Sequence, residues 1–294
     1  MHSSRGGSSR RRMNRGLAGA AVLLVLVTLA GPACASKVKM DELATDDVQG
    51  VGRKYRYAGP VEIDRLKAAL RSDPRGRVRA NAVTALVSRF VLSPRKEDLL
   101  PLLLRALDDQ DPDVETRAAD GLAAWFLNDP GVGPALAKHG ESLRAAVSSK
   151  DHIVQSHAIS ALKGMGERPP TAALLAASGG TDRREGIEQA KATNDTSAVP
   201  LLIQIAKTDP EEVIRMEAVP VAARLAPPAT RDALLSALLG GAQPAHVVEA
   251  AIQAAVDTGA VAVIPQLRQI VSEQKQGHFA TVAAAALQAL EGKH

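Results

Sequence analysis

Residues 59–294 encode an all-α solenoid of about seven stacked helix pairs, and two observations carry that reading. Aromatic residues make up 2% of a chain that is 46% hydrophobic. A core drawn from this composition is built of Ala, Leu and Val, which suits closely packed helices better than a β-sandwich. The second observation is a recurring stripe of apolar residues four positions apart, the spacing that places side chains on one helix face. It runs Val78, Ala82, Leu86; Val114, Ala118, Leu122; Val154, Ala158, Leu162; Ile214, Ala218, Ala222; Val247, Ala251, Ala255; and Phe279, Ala283, Leu287.

The stripe anchors are spaced 36, 40, 60, 33 and 32 residues apart. The long gap has room for one further unit, placed on Arg183 to Ile187 within "TDRREGIEQAKAT". A fixed period of this length marks a repeat architecture. This fourth unit is the least regular, and a bend or irregular packing is expected near residues 170–195.

Each stripe follows an apolar helix. The clearest are Leu99–Leu107, Ala198–Ala206 and Ala262–Ile270. Between the two helices of a unit sits a short polar turn, seen at Asp73-Pro74, Asp111-Pro112, Asp151 and Asp209-Pro210. An Asp at such a turn caps the free amides of the second helix. Pro stops the first helix and is tolerated in the opening turn of the next. The small Ala in mid-stripe lets neighbouring helices approach, and stacking buries faces that one helix pair leaves open.

These features together resemble HEAT repeats, in particular the short bacterial HEAT-like kind, whose pattern joins an Asp-Pro turn to a Val-Arg pair and an Ala-Leu stripe. Val78-Arg79 and Ile214-Arg215 keep the pair, while Glu115, Gln155 and Val248 stand in place of the Arg in other units. The resemblance spans roughly residues 59–294. It implies an extended binding surface and no particular chemistry, because this architecture hosts many unrelated roles.

Residues 1–35 read as a signal sequence. Five arginines and no acid precede or flank the uncharged run Leu17–Ala30, which is too short to span a bilayer comfortably. Met13 is an alternative start, and "SRRRMNR" lacks the aromatic residue of a twin-arginine signal. The single cysteine, Cys34, follows the run, and two readings stay open. "ACA" suits cleavage after Ala35, whereas "GPAC" resembles a lipobox that makes Cys34 a lipidation candidate. One cysteine excludes disulfides within the chain. Residues 36–58 lack the stripe and read as a linker and an irregular N-terminal cap, with Tyr55 and Tyr57 covering the edge of the first repeat; the alternative is that the two rings, among Arg53, Lys54 and Arg56, form a basic-aromatic cluster that binds an acidic partner.

Charge removes nucleic acid from the expected partners. The net charge of +4 contains +5 from residues 1–35, so residues 36–294 carry −1. A near-neutral, aromatic-poor chain lacks the basic footprint of a nucleic-acid binder, including that of HEAT-like DNA glycosylases.

Asp109, Asp111, Asp113 and Asp120 fall at positions 1, 3, 5 and 12 of a calcium loop. Position 6, however, is Val114 instead of Gly, and Val114 already opens a helix stripe, so calcium is not expected. His2, His139, His152, His157, His246, His278 and His294 form no H-E-x-x-H motif. They also form none of the His-Glu pairs on which the HEAT-like deoxyhypusine hydroxylase carries iron. "ASGGT" and "LGGAQP" match no phosphate loop and read as turns, and no G-x-S-x-G occurs. Trp125 and Phe126 continue the stripe after Leu122 and are assigned to the core.

The expectation is therefore an exported, non-catalytic scaffold that binds a protein partner along the solenoid groove. It has no catalytic, metal or cofactor residue, and it meets the membrane only through a signal sequence or a lipid on Cys34. The alternative is a lyase-like or enzyme-maturation subunit. HEAT-like phycobilin lyase subunits work beside pigment proteins inside the cell, which an export segment argues against.

Overall fold

The structure, a computed structural model, describes residues 40–91, 93, 95, 98–273 and 277–292. Cys34, the whole of residues 1–35 expected to be a signal sequence, His2 and His294 lie outside the described residues. Ser36–His294 form a compact unit of their own. Its helices are α1 (Val48–Tyr55), α2 (Pro60–Ser72), α3 (Gly76–Phe90), α4 (Leu100–Ala106), α5 (Pro112–Trp125), α6 (Val132–Ala146), α7 (His152–Gly164) and α8 (Thr171–Leu175). They continue with α9 (Gly180–Thr193), α10 (Val199–Thr208), α11 (Glu212–Leu225), α12 (Pro228–Gly240), α13 (Ala245–Thr258), α14 (Ile264–Glu273) and α15 (His278–Glu291). The described residues contain no strand, and α2 to α15 make seven consecutive pairs.

The odd-numbered helices form a layer of two runs, α1 to α7 and α9 to α15, bridged by the Lys163 side chain. α3 packs on α1, α5 on α3, α7 on α5, α11 on α9, α13 on α11 and α15 on α13. Their contacts run in step. Gly52 of α1 lies against Thr84 and Ser88 of α3, Gly121 of α5 against Val87, and Gly164 of α7 against Ala123. Asp120 of α5 meets both His157 and Ser160 of α7. These helices are therefore parallel, as stacked helical repeats require.

The stripe is the contact surface of this layer. In the units of α3, α5, α7, α11 and α13 all fifteen stripe residues are buried. The last unit differs. α15 buries Ala283, Ala286 and Leu290, while Phe279 and Leu287 are only partly covered. α15 packs on α13 and α14 and no helix follows it among the described residues, so its stripe is covered from one side only.

The apolar core divides in two. One cluster runs from Leu43 to Ala177, the other from Leu175 to Leu290. The division falls inside the five-residue helix α8, where Leu174 belongs to the first and Leu175 to the second. This is the irregularity expected near residues 170–195.

The fourth unit is shifted by one position from the placement at Arg183. Arg79 donates through Nη1 to the carbonyl of Asp73, six residues back, at 2.9 Å. Arg183 does the same to Ala177 at 3.1 Å, and Arg215 to Asp209. Arg183 therefore aligns with the Arg of Val-Arg, and the stripe of α9 is Asp182, Gly186, Ala190. Gly186 replaces the mid-stripe Ala because α8 presses closer. A Cβ there would stand 2.9 Å from the Leu175 backbone nitrogen.

The turn aspartates divide into two roles that the sequence reading had merged. Asp111 and Asp151 cap their helices, accepting from the amides of Asp113 and Ile153 at 3.0 and 2.9 Å. Asp73, Asp109 and Asp209 sit two residues earlier and close the turn by accepting from the amides of Arg75, Asp111 and Glu211. Their carboxylates also take a guanidinium. Asp109 accepts from Nε and Nη2 of Arg79 at 2.8 and 2.7 Å, and Asp209 accepts from Nη2 of Arg183 at 3.1 Å. An Arg of one unit is thereby clamped to the turn of the next.

A deeper polar hub joins the first units. Arg117, 2% exposed, donates to both oxygens of Asp113 at 2.7 Å, to Asn81 at 2.7 Å and to Thr84 at 2.9 Å. Asn81 in turn donates to the carbonyls of Leu43 and Thr45. The segment before α1 is thus fastened to α3 and α5. Of residues 36–58, the described part holds a 3-10 turn at Met40–Leu43 and the helix α1, which packs on α3 and extends the odd layer. Tyr55 is buried there, and burial together with Glu42 pushes its hydroxyl up to about 12. Tyr57 is 87% exposed and covers nothing. Trp125 also departs from its core assignment. α5 ends at Trp125, and Phe126 leaves helical geometry at φ −131°, ψ 9°. Phe126 therefore turns inward while Trp125 stays 46% exposed.

Asp113→Ala leaves Arg117 buried and unpaired, so a loss of about 3–5 kcal/mol is expected in urea unfolding, with Asp113→Ala/Arg117→Met regaining most of it. Gly186→Ala is expected to cost about 1–3 kcal/mol by overpacking against α8, although Ala is the better helix former at an open site. Burial alone would raise the Asp109 carboxyl, but hydrogen bonds from Arg79 and the Asp111 amide, together with the Arg79 charge, outweigh it and hold the group below the usual carboxylate range. Its contribution is therefore present above the unfolded value of about 3.9 and is lost as pH falls through the folded value. Asp109→Asn should be about 1–2 kcal/mol less stable than the wild type at neutral pH. That gap should close on acidification in unfolding curves recorded across pH.

Candidate functional site

Polar side chains gather where the N-terminal ends of α1, α3 and α7 converge. Arg77, at the start of α3, bonds Asp46 just before α1 and reaches Asp151, the cap of α7, at 3.5 Å. Its Nε stands 3.7 Å from Asp113. One guanidinium thus serves three carboxylates that lie far apart in sequence. Beside it is a cavity of about 370 Å³, lined on one side by Asp46, Asp47 and Gln49 and on the other by His152, Ser156, His157 and Ser178.

His157 is the most constrained side chain of this wall. Its Nδ1 lies 2.8 Å from Asp120 Oδ2, and Ser160 donates to the other oxygen of Asp120 at 2.6 Å. A carboxylate on one ring nitrogen fixes the ring's orientation. The cavity is therefore bordered by an oriented imidazole, a second imidazole, two hydroxyls, an amide and two carboxylates. Such a wall can bind polar groups of a ligand or a peptide.

The other histidines are placed differently. His139 of α6 bonds Glu115 of α5 at 3.1 Å, and Ser142 donates to the same Glu at 2.9 Å. Glu115, one of the residues replacing the repeat Arg, thus ties α5 to α6, the first helix of the next unit. His246 and His278 flank Glu249, and His152 is exposed at the start of α7. Among the described residues no three His, Cys, Asp or Glu side chains are grouped to hold a metal ion. The four acids of the calcium-loop spacing are separated by function. Asp109 takes Arg79, Asp111 caps α5, Asp113 takes Arg117 and Asp120 takes His157.

Ion pairs continue along the layer beyond this point. Lys163 of α7 bonds Asp182 and Glu185 of α9 at 2.7 and 2.5 Å, and Arg184 of α9 bonds Glu217 of α11 at 2.8 Å. Burial lowers the Lys163 ammonium, but its two carboxylates prevail and hold it above its ordinary range. A second cavity, about 440 Å³, lies between the turns of the first two units and is floored by Arg79 and Asp109, with Arg71 and Arg105 at its sides.

The sequence reading missed the Asp120–His157 and Glu115–His139 pairs, which join residues 37 and 24 positions apart. The parallel stacking is the signal that finds the first. Once α5 and α7 are set in register on Val114 and Val154, Asp120 and His157 come to adjoining turns.

Comparison with known proteins agrees with this geometry. HEAT repeats match residues 63–142 and 199–291, together more than half of the chain. The stretch between the two matches contains α7, α8 and α9, where the core divides. No curated protein matches. Among solved structures, the complex of CpcE and CpcF of phycocyanin lyase from Nostoc sp. is 21% identical, covering 85% of this chain and 92% of that chain, with a TM-score of 0.30. Human deoxyhypusine hydroxylase in complex with glycerol is 15% identical over 86% of this chain and 98% of its own, with a TM-score of 0.35. An engineered protein is 17% identical over 86% and 96%, with a TM-score of 0.29. Likenesses this distant carry no argument about activity. The matched repeats, the seven helix pairs and the recurring Arg clamp agree, and the chain belongs to the HEAT-repeat family.

Proposed function

We propose that this chain is a non-catalytic scaffold of the cell envelope that binds a protein partner along the exposed side of its odd-numbered helices. The observation that carries this reading is how the ionisable groups of that layer are used. Arg79, Arg183, Arg184, Lys163 and His157 each face a carboxylate on a neighbouring helix or turn. They hold the repeats in register, and between them lies an extended polar surface of the kind repeat proteins use for binding. Export is proposed on the signal sequence, and a membrane tether on Cys34. Among the described residues no helix is long and apolar enough to cross a membrane.

One observation favours a second reading, a lyase-like or enzyme-maturation subunit: His157, oriented by Asp120, borders a cavity large enough for a small molecule. Under that reading native mass spectrometry would find a bound small molecule that His157→Ala releases. The scaffold reading expects the chain at its own mass in both forms.

A photoreactive residue at Gln49, beside the cavity, tests the scaffold directly in envelope fractions. It is expected to capture a protein that the same probe at exposed Glu141 on α6 does not, and Ser156→Arg should abolish that capture. Equal capture at both positions, or none, would refute the reading.

A further inference from the structure

The charge of residues 36–294 is near zero in sum but strongly divided. Residues 36–107 hold fifteen Lys and Arg against nine Asp and Glu, and residues 108–294 hold sixteen against twenty-three. The first part is therefore +6 and the second −7. The basic part is α1 to α4, the end of the unit at which the chain enters from residue 40.

Part of this excess is concentrated at the corner between α1 and α2. Lys67 Nζ lies 5.9 Å and Arg89 Cζ 6.0 Å from the centre of the Phe90 ring. Arg89 also donates to the carbonyl of Ala58 at 2.8 Å, which brings it against the corner itself. Two cations thus crowd one ring, and neither they nor the exposed Arg53 and Arg56 pair with a carboxylate among the described residues. Tyr57 projects from the same corner, with Val61 one turn away as a second exposed apolar side chain. Uncompensated cations around an exposed aromatic and an aliphatic residue suit an anionic interface with an apolar layer beneath it. That describes a bilayer surface better than it describes an acidic peptide.

The entry of the chain lies beside this corner. Glu42 bonds Lys54 at 2.5 Å and Tyr55 at 3.4 Å near the C-terminal end of α1. Five residues separate Cys34 from Met40. Fully extended they span at most about 20 Å. A lipid on Cys34 would therefore hold this corner close to the headgroups.

We infer that the α1–α2 corner, with Arg53, Arg56, Lys67, Arg89 and Tyr57, is a docking surface for anionic lipid headgroups. It lays the first repeats on the membrane, and the acidic remainder, repelled by the same surface, projects away. The choice of a membrane rests on the envelope reading above, whereas the anion-binding corner stands on the geometry alone.

The test uses residues 36–294, the compact unit without signal sequence or anchor, sedimented with vesicles. Binding to vesicles rich in phosphatidylglycerol should exceed binding to phosphatidylcholine alone by about tenfold or more, and should be lost in about 1 M salt, where the screening length is about 3 Å. Arg53→Glu/Arg56→Glu should abolish it and Tyr57→Ala should weaken it. These side chains are exposed and unpaired, so folding is retained, and thermal unfolding checks that. Charge reversal at exposed Lys191 and Lys207 should change nothing. Equal binding to both vesicle types, or a double variant that binds like the wild type, overturns the proposal. So does a corner that ignores vesicles and binds poly-glutamate instead, which would make its ligand an acidic protein. Vesicle binding without partner capture would sink only the scaffold reading, and capture without vesicle binding would sink only this one.

Discussion

Everything in this molecule depends on the burial of one narrow stripe between parallel helices. Val, Ala and Leu at four-residue spacing cover both sides of each inner contact, and the mid-stripe Ala sets how closely two helices approach. The interaction is apolar and directionless, so it does not by itself choose a register. The Arg clamp supplies that choice. Arg79 and Arg183 reach from one helix to the turn carboxylate of the next unit, and such a bond is satisfied in only one register. Where the clamp is missing, other polar pairs take its place. Glu115 turns to His139 on the first helix of the next unit, and Asp120 reaches His157 on its second.

The same constraint explains the break. At α8 the even-numbered helix has shrunk to five residues, and the stripe of α9 offers Asp182 and Gly186 where other units place Val and Ala. Less apolar area is available, so the core separates into two clusters. The pairs of Lys163 with Asp182 and Glu185 remain, and they lead from α7 of the first cluster to α9 of the second. Polar contacts thus carry continuity across the point where apolar packing thins.

Much of this was legible in the sequence because the repeat fixes which residues share a face. The stripe from Val78 to Ala255, the helices at Leu99–Leu107 and Ala198–Ala206, and the weakness of the fourth unit all follow from periodicity. Trp125 was misread because periodicity does not say where a helix stops, and one residue past α5 the inward side passes to Phe126. The aspartates were merged because Asp-Pro occurs at two offsets, with Asp73 and Asp209 two positions earlier than Asp111. The Arg117 hub and the His157 wall were not legible. Each joins residues more than thirty positions apart, and a side chain's partner across a stack depends on a register that must first be built.

The functional account follows from where polar groups are used and where they are left over. Inside the stack they are paired and hold helices together. Left over are the wall around His157, the open side of the odd layer and the cations at the α1–α2 corner. The proposed scaffold, with one end on a membrane and the other projecting, would use both ends of this arrangement. The claim beneath it is that the solenoid is two stacks joined at α8. Native-state hydrogen exchange resolved by helix tests it most directly, since cooperative units exchange together. The account predicts one shared protection level for α3, α5 and α7 and a different one for α11 and α13, with α8 exchanging faster than either. A single level across all of these helices would contradict it.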